Sequence, residues 1–186
     1  WGYVELAGIL RKIEWIDQGG SQYDLSGNAL GWGLNLSTNL KLGKSTVFRG
    51  QVVYGEGIQN YMNDGPADIG IKNNFNNPAK PILGVALPVT GIVAFLDHNW
   101  NSKFSSSIGY SLINVTHFDG AAEDAFKKGD YAIVNLLYNP VERVMMGLEL
   151  QYGKRTNFEL DYTSDILKLQ FSCKYNFSHM FYKDKK

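Results

Sequence analysis

The sequence predicts an all-β protein, a membrane-spanning antiparallel β-barrel, on three observations: strict two-residue alternation, strand-like runs long enough to cross a bilayer, and connections that alternate short and long. From Leu30 to Leu42 the residues Leu30, Trp32, Leu34, Leu36, Leu40 and Leu42 share one parity, and Gly31, Gly33, Asn35, Ser37, Asn39 and Lys41 share the other. Side chains of a strand alternate between faces, so one face is apolar and the other polar or bare. The closing run repeats this, with Leu167, Leu169, Phe171, Cys173, Tyr175 and Phe177 against Lys168, Gln170, Ser172, Lys174 and Asn176.

Eight such runs are expected, at 2–15, 29–42, 46–57, 84–98, 103–115, 130–138, 144–156 and 165–177. Most exceed the ~5–6 residues usual in soluble proteins and match the ~9–11 that a tilted membrane crossing requires. The first opens at once from Trp1, without initiator methionine or secretory signal, so the chain reads as a barrel segment over 1–186 that lacks its signal peptide and the N-terminal part of the barrel. Between the runs, 43–45, 99–102 and 139–143 are tight turns marked by Gly, Asn and Pro, whereas 16–28, 58–82, 116–129 and 157–164 are longer and polar. In an antiparallel sheet this order gathers the tight turns at one end and the long loops at the other, as in outer-membrane barrels. The Gly-rich YGEG at 54–57 lacks the Lys-Ser/Thr that cradles phosphate and marks a strand end.

Composition narrows the class. The chain has 186 residues, with 18 basic and 18 acidic, so no global field favours nucleic acid. Nothing approaches the ~20 consecutive apolar residues of a membrane helix. The single cysteine, Cys173, shares the parity of Leu169 and Phe171 and reads as a small apolar filler.

If the apolar parity faces lipid, the inward set is Glu5, Arg11, Asn35, Ser37, Asn39, Lys41, Arg49, Gln51, Ser105, Ser107, Ser111, Asn135, Glu149, Gln151, Arg155, Lys168, Gln170 and Lys174. So many hydrated groups fit a water-filled lumen better than a dry core. Arg11, Arg49 and Arg155, with Lys168 and Lys174, are the candidates for lining the pore and attracting anions. The competing reading is a structural salt-bridge network in which Glu5 and Glu149 pair some of them. Outward aromatics near run ends, Phe48, Tyr54, Tyr110, Tyr138, Tyr152, Tyr175 and Phe177, fit interfacial girdles. The long loop 58–82 is either a constriction folded into the lumen, with Asp64, Asp68, Lys72 and Lys80 lining it, or a solvated surface loop.

Catalytic signals are weak, and no enzyme, cofactor or metal is expected. His98 beside Asp97, with a loop serine, is the one arrangement that an outer-membrane hydrolase could use, and His117 and His179 have no Ser and Asp at a defining spacing. Asp119, Glu123 and Asp124 lack the alternating oxygen donors of a calcium loop. A small structural or anchoring barrel is a further alternative, if eight strands close on themselves.

The stretches ALGWGLNLSTNLKLG, QVVYGEGIQNYMND, DIGIKNNF, GVALPVTGIVAFLDHNWNSKFSSSIGYS, DAFKKGDYAIVNLLYNPV and FSCKYNF resemble the C-terminal half of DcaP-like outer-membrane porins, channels associated with dicarboxylates. The resemblance implies a homotrimer in the bacterial outer membrane, each protomer a barrel of about sixteen strands of which this chain supplies half. It implies passive diffusion of small anionic solutes and contact with outer-membrane lipid. It further implies recognition by the barrel-assembly machinery through the last strand, ending at Phe177 or, in the tail, at Phe181.

Overall fold

The computed structural model describes residues 1–20, 22–62, 65–158 and 163–178. Asp64, His179 and Phe181 lie outside the described residues. Among the described residues there are ten strands and no α-helix: β1 (Gly2–Trp15), β2 (Gly27–Leu42), β3 (Thr46–Glu56), β4 (Ile69–Asn73), β5 (Ile82–Ala86), β6 (Pro88–Asn99), β7 (Phe104–Val115), β8 (Phe126–Tyr138), β9 (Val144–Asn157) and β10 (Thr163–Tyr175). One sheet runs β1-β2-β3-β6-β7-β8-β9-β10, every pair antiparallel, and β4 and β5 form a separate hairpin.

Strand pairing follows chain order because each tight turn leaves no other partner within reach. The turns after β2, β6 and β8 lie at one end of the sheet, and the loops after β1, β3, β7 and β9 at the other. The sheet does not close on itself: β1 and β10 are its two ends and are not neighbours, so the eight strands do not make a small closed barrel.

Three boundaries differ from the sequence reading. The run 84–98 is two strands broken at Leu87, and Ile82–Ala86 leaves the main sheet to pair with Ile69–Asn73 inside the loop expected to be irregular. The cause is local: the Gly57 N–H and the Gln59 side-chain amide both donate to the Leu87 carbonyl, while the Leu87 N–H donates to the Asp68 carbonyl, so its backbone serves the loop and not the sheet. Strand β8 begins at Phe126, four residues before the expected 130, across an irregularity between Phe126 and Lys128. The last strand ends at Tyr175, short of Phe177.

Register confirms the two faces. Down the ladder Ser37↔Gln51, Gln51↔Val93, Val93↔Ser111, Ser111↔Tyr131 and Asn135↔Glu149, one parity from every strand shares a face. Its opposite carries Leu34, Leu36, Val52, Ile108, Val134, Leu150, Leu169 and Phe171, all exposed. A broad exposed apolar face of this kind belongs against lipid or another protein, and no helix among the described residues is long and apolar enough to cross a membrane in its place. The outward aromatics lie on this face, with Trp32 edge-on to Tyr54 at 5.7 Å and Phe104 stacked on Tyr138 at 4.7 Å.

Candidate functional site

The segment between β3 and β6 folds back over the polar-parity face. Gly57, at φ +64, reverses the chain after Glu56, a conformation that a side chain would resist. Ile58 then drops onto the sheet where Gly33 and Gly55 leave room: a Cβ on Gly33 would stand 2.6 Å from the Ile58 Cδ1. Ile58, Leu87, Val89 and Val115 form a small buried core, joined by Ile9, Val53, Met62, Ile113, Phe118 and Phe126. The β4–β5 hairpin is held from both sides. Lys80 Nζ donates to the Ser26 carbonyl at 2.6 Å, and Asn73 Nδ2 donates to the Asp119 carbonyl at 3.1 Å. The loop therefore lies across the loop end of this face and not out in solvent.

The candidate residues divide by what they touch. Arg11 donates to Asp68 Oδ2 at 2.9 Å and to the Gly57 carbonyl at 3.4 Å, and Tyr61 lies under its guanidinium at 5.4 Å. Asp68 also accepts the Asn60 N–H at 3.0 Å and is only 10% exposed, so it ties both ends of the loop's first turn to the sheet wall. Arg49 donates from Nε to Asp97 Oδ2 at 2.7 Å, and the Ser107 hydroxyl holds the other oxygen at 2.6 Å. Neither arginine is thus the unneutralised cation that its inward parity suggested, and their partners are Asp68 and Asp97, where the sequence pointed to Glu5 and Glu149. The pairing carboxylates lie 57 and 48 residues away in sequence.

Arg155 is different. Its Nε donates to Asn157 Oδ1 at 2.9 Å and its guanidinium lies over Phe126 at 5.7 Å, both neutral partners. Among the described residues Arg155, Lys168, Lys174 and Lys41 have no carboxylate within ion-pair distance. Register places all four on the loop-covered face. Glu149 on that face accepts from Gln151. Of the loop candidates, Asp68 pairs with Arg11, Lys72 lies over Phe118 at 5.6 Å, and Lys80 is spent on the Ser26 carbonyl.

His98 and Asp97 do not form a catalytic pair. As neighbours in β6 they point to opposite faces, His98 to Thr46 Oγ1 at 2.7 Å and to the Trp100 ring, Asp97 to Arg49 and Ser107.

One part of the face was missed by sequence reasoning. Beneath the loop lies a cavity of about 820 Å³, walled by Ile58, Tyr61 and Met62 above and by Val53, Val93, Phe95, Ile113, Phe126 and Tyr131 on the sheet, with Asn35, Gln51 and Ser111 the polar members. The signal was present in β6, PVTGIVAFLDHN, which is apolar at both parities and so has cover on both faces.

In the loop between β1 and β2, Asp17 accepts the Gly19 N–H at 2.8 Å and the Leu25 N–H at 3.0 Å. These bonds, that from Gly19 the stronger influence, hold its carboxyl below its ordinary pKa. Asp24 is likewise lowered, by the Ser26 hydroxyl and then the Ser26 N–H.

No curated protein and no solved structure matches the chain. The family model for the DcaP outer membrane protein matches residues 4–177. An all-β antiparallel sheet with an exposed apolar face, a loop-covered polar face and this match over nearly its whole length make the chain a member of the DcaP outer membrane protein family, located in the bacterial outer membrane.

Proposed function

We propose that this chain forms wall and constriction of a porin that lets small anionic solutes, dicarboxylates among them, diffuse passively across the outer membrane, without making or breaking a bond. The observation that carries this reading is the imbalance on the loop-covered face: Arg155, Lys168, Lys174 and Lys41 have no carboxylate partner among the described residues, whereas Asp68 and Asp97 are consumed by Arg11 and Arg49. Fixed cations at the wall of a narrow aqueous path raise the local concentration of anions and lower their entry barrier. The loop's position over the same face favours a constriction over a surface loop.

The reading includes a larger barrel. Strands β1 and β10 are 14 and 13 residues long, and each has one edge with no neighbouring strand. In hydrocarbon each unpaired backbone group costs several kcal/mol, so further strands, about sixteen in all, continue the sheet from both edges. We include assembly as a homotrimer and recognition of the last strand, through Phe177, by the barrel-assembly machinery.

In planar bilayers the full-length protein should show a cation-to-anion permeability ratio below one in potassium chloride. Changing Arg155 and Lys168 together to Gln should raise it. A cation-selective wild type overturns the anion reading, and hydrolysis of a lipid or peptide ester by the purified protein would overturn the passive one.

A further inference from the structure

The cavity beneath the loop is not explained by charge selection alone. A path that only attracted hydrated anions would be walled by hydroxyls and amides, yet the sheet side of this cavity is Val53, Val93, Phe95, Ile113 and Phe126. The ring of Phe95 lies flat across Gly109, whose missing side chain lets it: a Cβ there would stand 2.2 Å from the Phe95 Cε1. The opposite wall, Ile58 and Met62, is also apolar, with the Met62 methyl set over Gly91.

Arg155 stands at the rim of this space. Its cross-strand partner Gly129 and the ring beneath its guanidinium, Phe126, both line the cavity. Asn157, buried at 8% exposure, takes only the Nε proton. The terminal nitrogens Nη1 and Nη2 make no hydrogen bond to a described residue, and they present the planar edge that holds a carboxylate with two bonds.

We infer that this cavity is a subsite for the apolar body of a permeating anion, with Arg155 holding its carboxylate, so that the channel favours monocarboxylates bearing a ring or a short alkyl chain over compact anions of the same charge. The inference rests on the porin reading above and adds a selection by apolar surface to the selection by charge. A carboxylate alone finds the same guanidinium but leaves the wall wet. A benzoate ring placed against Phe95, Val93 and Ile113 removes apolar surface from water on both sides. The subsite is open toward the rest of the face, so the ring can leave, as conduction requires.

The test is a pair of bi-ionic reversal potentials on the full-length protein in planar bilayers, with sodium acetate or sodium benzoate opposed to sodium chloride. Free diffusion ranks the smaller acetate first. The subsite reverses this order, giving a benzoate-to-acetate permeability ratio of about three or more, as partial burial of one ring implies. Phe95→Ser and, as a smaller change, Val93→Ser should return the ratio to below one, and Arg155→Gln should reduce benzoate permeability severalfold, each variant being checked for assembly by heat-modifiable gel mobility. A ratio below one in the wild type overturns the inference, as does a ratio that neither Ser variant moves. Chloride-over-sodium selectivity of the wild type is read in the same experiment: its absence overturns the porin reading for anions, whereas its presence with acetate ranked first overturns the subsite alone.

Discussion

The assignment of faces can be tested on two neighbouring residues of β10. Phe171 is the middle one of the outward positions Leu167, Leu169, Phe171, Cys173 and Tyr175, sits opposite Leu148 of β9 and is 67% exposed in the isolated chain. Ser172 sits opposite Gly147 on the other face, its hydroxyl 3.1 Å from where a Cβ of Gly147 would be. Phe171→Arg removes a ring from lipid, about 1.5–3 kcal/mol, and places a guanidinium near the bilayer midplane, about 2–4 kcal/mol more. The sum, roughly 4–7 kcal/mol, is a large part of the 5–15 kcal/mol that holds a typical protein folded. Ser172→Arg puts the same charge over a glycine and into water, where changes stay within about 0.5 kcal/mol. Heat-modifiable gel mobility after refolding into vesicles, followed by denaturant titration, separates the two. Phe171→Arg should fail to assemble while Ser172→Arg migrates as wild type. Equal assembly of both, or failure of Ser172→Arg alone, would reverse the faces and with them the list of residues along the solute path.

The loop offers a second test: Asp68→Asn keeps the shape but leaves Arg11 half-buried without its charge partner, a loss of about 1–3 kcal/mol in loop docking, seen as larger and noisier single-channel current, and unchanged current would place the loop away from the path. Gly55→Val should be more disruptive, because a Cβ there would stand 2.2 Å from the Trp32 carbonyl oxygen and 2.9 Å from Ile58 Cδ1, forcing apart both the β2–β3 pairing and the docked loop; normal assembly with normal current would refute that packing. The loop between β1 and β2 should loosen in acid. With the folded pKa of Asp17 depressed by the Gly19 and Leu25 N–H groups, its contribution is complete above the unfolded value and is lost as pH falls below about 4 and through the folded one. Protection of the Leu25 amide against hydrogen exchange, corrected for intrinsic rate, should fall over that range in the wild type and be low throughout in Asp17→Asn.

Period-two alternation is a local property, and it was enough to read the faces of all eight strands of the main sheet, including every inward residue from Glu5 to Lys174, because a strand's parity is fixed by its own backbone. Turn lengths were equally local, and they set which end carries the long loops. The separation of Asp97 from His98 was legible too, since adjacent strand residues must point apart. The β5–β6 break at Leu87 was not: PVTGIVAFLDHN and the residues before it read as one apolar run, and only contacts with Gly57, Gln59 and Asp68 divide it. The state of each cation was likewise a tertiary decision. Arg11, Arg49 and Arg155 look alike in sequence, each an inward arginine in a strand, and differ because Asp68 and Asp97 reach the first two, while Arg155 meets an amide and a ring. Charge neutralisation depends on distances of about 4 Å between side chains brought together from far along the chain, and no spacing in the sequence encodes which carboxylate arrives.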